Sequence, residues 1–129
     1  MEAVDQAAHI VETPEPLAAT IKSAPSRHRK ALMNTGWVRH TLESAIWGLL
    51  TTDSFEEAVV QVVNLGNDTD TAGAVVGALA GAAYGLSAIP LRWQEAVQGE
   101  WPVGSGTRCN VVELTRLADR LLSWVQGRV

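Results

Sequence analysis

Apolar side chains recur at helical spacing along most of the chain. Val38, Leu42, Ala45, Ile46, Leu49 and Leu50 fall on one stripe between residues 38 and 50. Phe55, Ala58, Val59, Val62 and Val63 follow the i, i+3, i+4, i+7, i+8 pattern between 55 and 63. Neither stretch alternates as a strand does, so each predicts an amphipathic helix. Ser54 and Glu57 stand at the spacing of a capping box for the second. Near the end, Val112, Leu114, Leu117, Ala118, Leu121, Leu122 and Val125 predict another, preceded by a loop from Gly99 to Asn110 that holds Pro102, Gly104 and Gly106. Shorter helices are predicted over residues 4–11 and 17–23, split by Pro14 and Pro16. The pattern predicts an all-α fold, a compact helical bundle forming a single domain over residues 1–129, with no internal repeat.

A Gly/Ala-rich segment from Ala72 to Leu86 predicts a further helix, in which Gly73, Gly77, Gly81 and Gly85 recur every fourth residue. Each glycine inside a helix costs up to about 1 kcal/mol relative to alanine, so something must offset it. Close approach of neighbouring helices to the bare backbone is the expected offset. The segment falls short of the about 20 apolar residues that a membrane span needs, and its Gly/Ala content gives it little drive to insert. It reads as a buried helix of a protein that does not enter the membrane.

The helix is entered through Asn64-Leu65-Gly66-Asn67-Asp68-Thr69-Asp70-Thr71, a turn signal followed by two carboxylates and hydroxyls. A helix advances about 100° per residue, so Asp68 and Asp70 reach one ion only if Asp68 lies in the turn. Hard oxygen ligands of this kind suit Mg²⁺ or Mn²⁺, and the free amides of the first turn favour an anion such as a pyrophosphate. The competing reading is plain helix capping, since Asp and Thr are ordinary residues for a helix entrance. Spacing alone leaves both open.

Composition removes other classes. Fourteen acidic residues against ten basic ones give a formal charge of −4, so no basic field exists to attract nucleic acid. The cluster Arg27-His28-Arg29-Lys30 reads as a solvated face. Cys109 is the single cysteine, which excludes an intrachain disulfide and fits a reducing, cytoplasmic location. The start of the chain lacks the basic region and apolar run of a signal peptide.

A resemblance sharpens the acidic motif. The blocks Gly36-Trp37-Val38-Arg39-His40-Thr41-Leu42-Glu43-Ser44-Ala45-Ile46-Trp47, Asp53-Ser54-Phe55-Glu56-Glu57-Ala58-Val59, the Asp68 motif, Gly77-Ala78-Leu79-Ala80-Gly81-Ala82-Ala83-Tyr84-Gly85 and Ile89-Pro90-Leu91-Arg92-Trp93 together resemble the C-terminal part of the ADP-ribosylglycohydrolase family. The resemblance is close from residue 36 to about 97. It implies an all-helical protein that binds a pair of divalent cations and hydrolyses the bond between ADP-ribose and a modified side chain or small acceptor. By resemblance, Asp68, Asp70 and Thr71 match the family's C-terminal metal ligands, with Asp68 and Asp70 also helping to activate the nucleophile.

The family's other ligand cluster, an N-terminal Ser/Thr-Asp-Asp run, has no match here. Thr51-Thr52-Asp53 is similar only superficially and reads as the loop before a capped helix. The expectation is therefore half of a metal site, weakly binding Mg²⁺ or Mn²⁺, with hydrolysis requiring a second chain to complete it. The alternative is a non-catalytic shortened relative that acts as a binding or oligomerisation module, its uncovered helices paired with a second copy or a partner chain.

The remaining candidates have plainer readings. His9, His28 and His40 lack metal-ligand spacing and are expected at the surface or in hydrogen bonds, His40 being the best exception. Glu43 reads as an exposed helix carboxylate or, one turn after His40, as an acceptor behind the site, Trp47 and Trp93 as core residues, and Trp37 as a packed ring or the border of a nucleotide pocket.

Overall fold

A computed structural model describes residues 15–127 and resolves them into two compact units, divided after Ala88. The first holds α1 (Glu15–Ser23), α2 (Val38–Leu50), α3 (Phe55–Val63) and α4 (Thr69–Tyr84), with short 3₁₀ turns at Ala24–Ser26, Arg29–Ala31 and Leu86–Ala88. The helix expected over residues 4–11 lies outside the described residues.

In this unit α2, α3 and α4 pack on one another. Helix α3 buries the Phe55, Ala58 and Val62 face of its apolar spacing, whereas α2 buries Thr41, Ser44, Ala45, Trp47 and Gly48 and leaves Val38 and Leu50 of the expected stripe exposed. Ala45 and Trp47 from α2, Phe55, Ala58 and Val62 from α3, and Ala72, Val76 and Ala80 from α4 form the core. Ser54 starts α3 by accepting a hydrogen bond from the Glu57 amide at 3.2 Å. Thr51 and Thr52 end α2 by donating to the carbonyls of Trp47 and Gly48, both at 2.7 Å. That pairing accounts for the Thr-Thr-Asp loop structurally.

The glycine stripe corrects one expectation. A Cβ at Gly77 or Gly85 would meet nothing within 4 Å, and at Gly81 only Phe55 at 3.9 Å; Gly73 alone is tight, 3.3 Å from Val63. Gly85 is instead the left-handed cap of α4, with φ of 79°. The crowded position is Gly48, where a Cβ would collide with the Val62 side chain and stand 3.2 Å from the Ala58 carbonyl. The helix α4 also begins at Thr69, earlier than the expected Ala72, and ends at Tyr84 rather than Leu86.

The second unit holds α5 (Leu91–Ala96), strands β1 (Gln98–Glu100) and β2 (Arg108–Asn110), and α6 (Val111–Gln126). The strands pair antiparallel, Gly99 opposite Cys109, so the stretch expected to be a loop is a short hairpin. Its strands are three residues each and exposed along most of their length, which leaves no alternating pattern to read. The architecture is otherwise helical, as the apolar spacing predicts. A full capping box opens α6: Asn110 accepts from the Val112 amide at 2.8 Å, and Glu113 accepts from the Asn110 amide at 3.1 Å. Val112, Leu114, Leu117, Leu121, Leu122, Trp124 and Val125 on this helix all remain exposed. Trp93, expected in the core, is only partly buried.

Candidate metal centre

The acidic entrance to α4 is held from outside its own helix. Asp68 occupies the N-cap position with φ −82° and ψ 69°, and its side chain makes no capping hydrogen bond. Capping therefore does not account for this carboxylate. The carboxylate lies instead against Gly36, where an added Cβ would stand 3.0 Å from Oδ2. Only a residue without a side chain leaves that approach open.

Four hydrogen bonds tie residues 64–68 to the segment before α2. Arg29 Nη2 donates to the Asn64 carbonyl at 2.7 Å, and Asn67 Nδ2 to the Met33 carbonyl at 3.1 Å. Asn34 Nδ2 donates to the Gly66 carbonyl at 2.7 Å, while the Asp68 amide donates to the Asn34 carbonyl at 3.1 Å. Gly66, Asn67 and Asn34 all have positive φ, at 81°, 59° and 42°, a region that only Gly, and next to it Asn, enters readily. The sequence thus supplies the residue types that such a doubled turn needs.

Asp70 is exposed in the first turn of α4. Its carboxyl is held below the ordinary carboxylate range, first by hydrogen bonding with the Asp68 side chain, then by the amides of Thr71 and of Asp70 itself; slight desolvation opposes them. Asp68 and Asp70 thus stand at the N-cap and in the first turn of one helix entrance, with Thr71 exposed beside them. Their donor set, carboxylates and a hydroxyl, is of the hard kind that suits Mg²⁺ or Mn²⁺. Among the described residues, no cluster of three or more His, Cys, Asp or Glu side chains is placed to hold a metal.

Beside Gly36, the start of α2 builds a polar recess. A cavity of about 130 Å³ is lined by Thr20, Arg27, Trp37, Arg39, His40 and Glu43. Arg39 donates to Thr20 Oγ1 through Nε at 3.1 Å and Nη2 at 3.0 Å, and its guanidinium stacks 5.0 Å from the Trp37 ring. His40 meets the same ring edge-on at 4.7 Å, and its Nδ1 is 2.8 Å from Thr35 Oγ1, the hydrogen-bonded role expected of it. Trp37 is nevertheless 51% exposed. Glu43 departs from expectation. It is not an exposed carboxylate but sits 12% exposed, paired with Arg27 Nε at 3.2 Å. Its partner is distant in sequence, so helical spacing around Glu43 gave no sign of it. Arg27 and Arg29 thus make tertiary contacts while remaining exposed on the basic face.

Sequence reasoning read Gly66-Asn67 as a turn but missed the hydrogen bond of Asn67 to Met33, and it missed Asn34 and Gly36. Asn34 and Asn67 carry a signal in hindsight, as asparagines outside any helix pattern; Gly36 shows its role only through the tertiary approach of Asp68.

The chain is 34% identical over 84 residues to an ADP-ribosylarginine hydrolase of Pseudomonas putida (strain GB-1), a match spanning 65% of this chain and 23% of that protein. It is 42% identical over 67 residues to the ADP-ribosylarginine hydrolase of Serratia proteamaculans (strain 568), covering 52% of this chain and 18% of the relative. A third relative is the ADP-ribosyl-dinitrogen reductase glycohydrolase of Rhodospirillum rubrum, 38% identical over 60 residues, 46% of this chain and 20% of that one. The matched part is thus about a quarter or less of each relative's length. No solved structure gives a significant match. The family model described as ADP-ribosylglycohydrolase matches residues 1–128, and the chain belongs to the ADP-ribosylglycohydrolase family.

Proposed function

We propose that Asp68, Asp70 and Thr71 form one side of a divalent-cation site for Mg²⁺ or Mn²⁺, used to hydrolyse an ADP-ribosyl N- or O-glycosidic bond. The observation that carries this reading is the Asp68 carboxylate itself: it caps no amide, lies against Gly36 and meets Asp70. Family membership and the names of the relatives, hydrolases of ADP-ribosylarginine and of ADP-ribosylated dinitrogen reductase, support an ADP-ribosylated acceptor as substrate.

In this reading Asp68 and Asp70 hold the cations and take up a proton from the attacking water, and Thr71 adds a hydroxyl ligand. The amides at the start of α4 favour the pyrophosphate of ADP-ribose. Divalent ions held by these residues would supply Lewis acidity for orienting substrate oxygens and activating water. Two carboxylates neutralise only part of the charge on a cation pair, so binding is weak until another polypeptide segment supplies further oxygen ligands. No helix among the described residues is long and apolar enough to cross a membrane. A reducing cytoplasm suits the free Cys109 thiol.

The test is release of ADP-ribose from an ADP-ribosylarginine peptide in the presence of Mg²⁺. Release that survives Asp68→Asn combined with Asp70→Asn refutes the assigned roles.

The exposed apolar face of α6 supports a second reading, an oligomerisation module whose partner is a second copy of the chain. Light scattering at micromolar concentration decides it: a monomer at every concentration excludes this module.

A further inference from the structure

Asn34 is fully buried, has positive φ and belongs to no helix. A turn at this φ needs only glycine, so the asparagine side chain calls for its own explanation. Its Nδ2 donates to the Gly66 carbonyl at 2.7 Å, and its main-chain carbonyl accepts from the Asp68 amide at 3.1 Å. One residue therefore grips the acidic loop on both sides of Asn67, itself left-handed at φ 59°. Side-chain Oδ1 has no hydrogen-bond partner, so the polar contacts that Asn34 makes through its side chain go to this loop alone. Burying a polar side chain with one atom unpaired is unfavourable for folding, and the loop it holds is what the chain receives in return.

The consequence falls on Asp68. A free Asp at a helix N-cap turns its oxygens back onto the amides of the first turn. Here the Asp68 main chain is fixed at φ −82° and ψ 69°, and its carboxylate points at Gly36 with no cap bond. We propose that Asn34 is the positioning residue for the acidic site, clamping residues 66–68 so that the Asp68 carboxylate is withheld from helix capping and kept available to a divalent cation. The cation part rests on the function proposed above; the clamp itself rests on hydrogen bonds already described. Asn34 acts through the loop it holds, by way of the Gly66 carbonyl and the Asp68 amide.

The experiment uses the full chain, Mn²⁺ alone as probe, and amide NMR. Asn34→Gly keeps the positive φ and the main-chain carbonyl while removing the Nδ2 donor. In the wild type, Mn²⁺ broadens the amides of residues 68–71 first. In Asn34→Gly, Mn²⁺ affinity falls by about 10- to 100-fold, the usual loss for partners that orient metal ligands. Without metal, the Asp68 amide exchanges faster in the variant while the core amides of Val62 and Val76 keep their protection, a split that general loosening does not produce. If Asn34→Gly loses the wild-type helical circular dichroism, the same readouts are taken on Asn34→Ser. Unchanged Mn²⁺ affinity together with unchanged Asp68 exchange overturns the proposal. A wild type that shows no broadening at residues 68–71 overturns the cation reading instead, and the Asp68 exchange rate then decides the clamp by itself.

Discussion

A Cβ placed on Gly36 would stand 3.0 Å from Oδ2 of Asp68, closer than side chains ordinarily come. Gly36→Ala therefore pushes the Asp68 carboxylate by a few tenths of an ångström without touching the core formed by α2, α3 and α4. The expected outcome is Mn²⁺ binding weakened about tenfold or more, the scale of loss when ligand orientation is disturbed. The thermal midpoint should stay within a few degrees of wild type. Isothermal titration beside a melting curve checks both, and equal affinity in the two proteins removes Gly36 from the site.

Capping and cation binding make opposite forecasts for Asp68. A true N-cap lost to alanine costs about 0.5–2 kcal/mol, which is the expected result for Ser54→Ala because Ser54 does accept from the Glu57 amide. Asp68 accepts no such bond. Asp68→Asn should thus cost no more than the about 0.3–1 kcal/mol of a lost helix-dipole interaction, while Mn²⁺ binding disappears. Urea denaturation of the two variants side by side makes the comparison.

Two glycines should respond with opposite sign. Gly48→Ala drives a methyl into Val62 and against the Ala58 carbonyl, an overpacking expected to destabilise by about 1–3 kcal/mol. Gly77→Ala meets open space in mid-helix and should stabilise by up to about 1 kcal/mol. Denaturant midpoints read both changes.

If α6 pairs with its copy, Leu117→Glu combined with Leu121→Glu should leave a monomer. Both side chains are exposed, at 44% and 57%, so the substitutions disturb little inside the unit. Light scattering that shows the same mass for wild type and variant excludes pairing through this face.

What the sequence revealed and what it hid divide along physical lines. Helices α2 and α3 were legible to the residue because their apolar positions repeat every three or four residues over more than two turns. The acidic motif was legible as chemistry, but spacing did not distinguish a cap from a ligand; that needed the absent cap bond of Asp68 and its approach to Gly36. The hairpin stayed hidden because three-residue exposed strands leave no alternation, and Pro102, Gly104 and Gly106 read as breakers. The glycine period in α4 suggested tight packing that the helix does not use beyond Gly73, whereas the crowded Gly48 stands alone and has no period to notice. Glu43 and Asn34 were missed for one shared reason. Their partners, Arg27 for one and Gly66 with Asp68 for the other, come near only once the chain has folded.

The ties that hold residues 64–68 all end on main-chain carbonyls, those of Met33, Asn34, Asn64 and Gly66. Every amino acid carries such an acceptor, so the side chain at 33 is free to drift through evolution without loosening the loop. The information sits with the donors Arg29, Asn34 and Asn67. A library randomised at positions 33 and 34 should therefore return varied residues at 33, and a nearly fixed asparagine at 34.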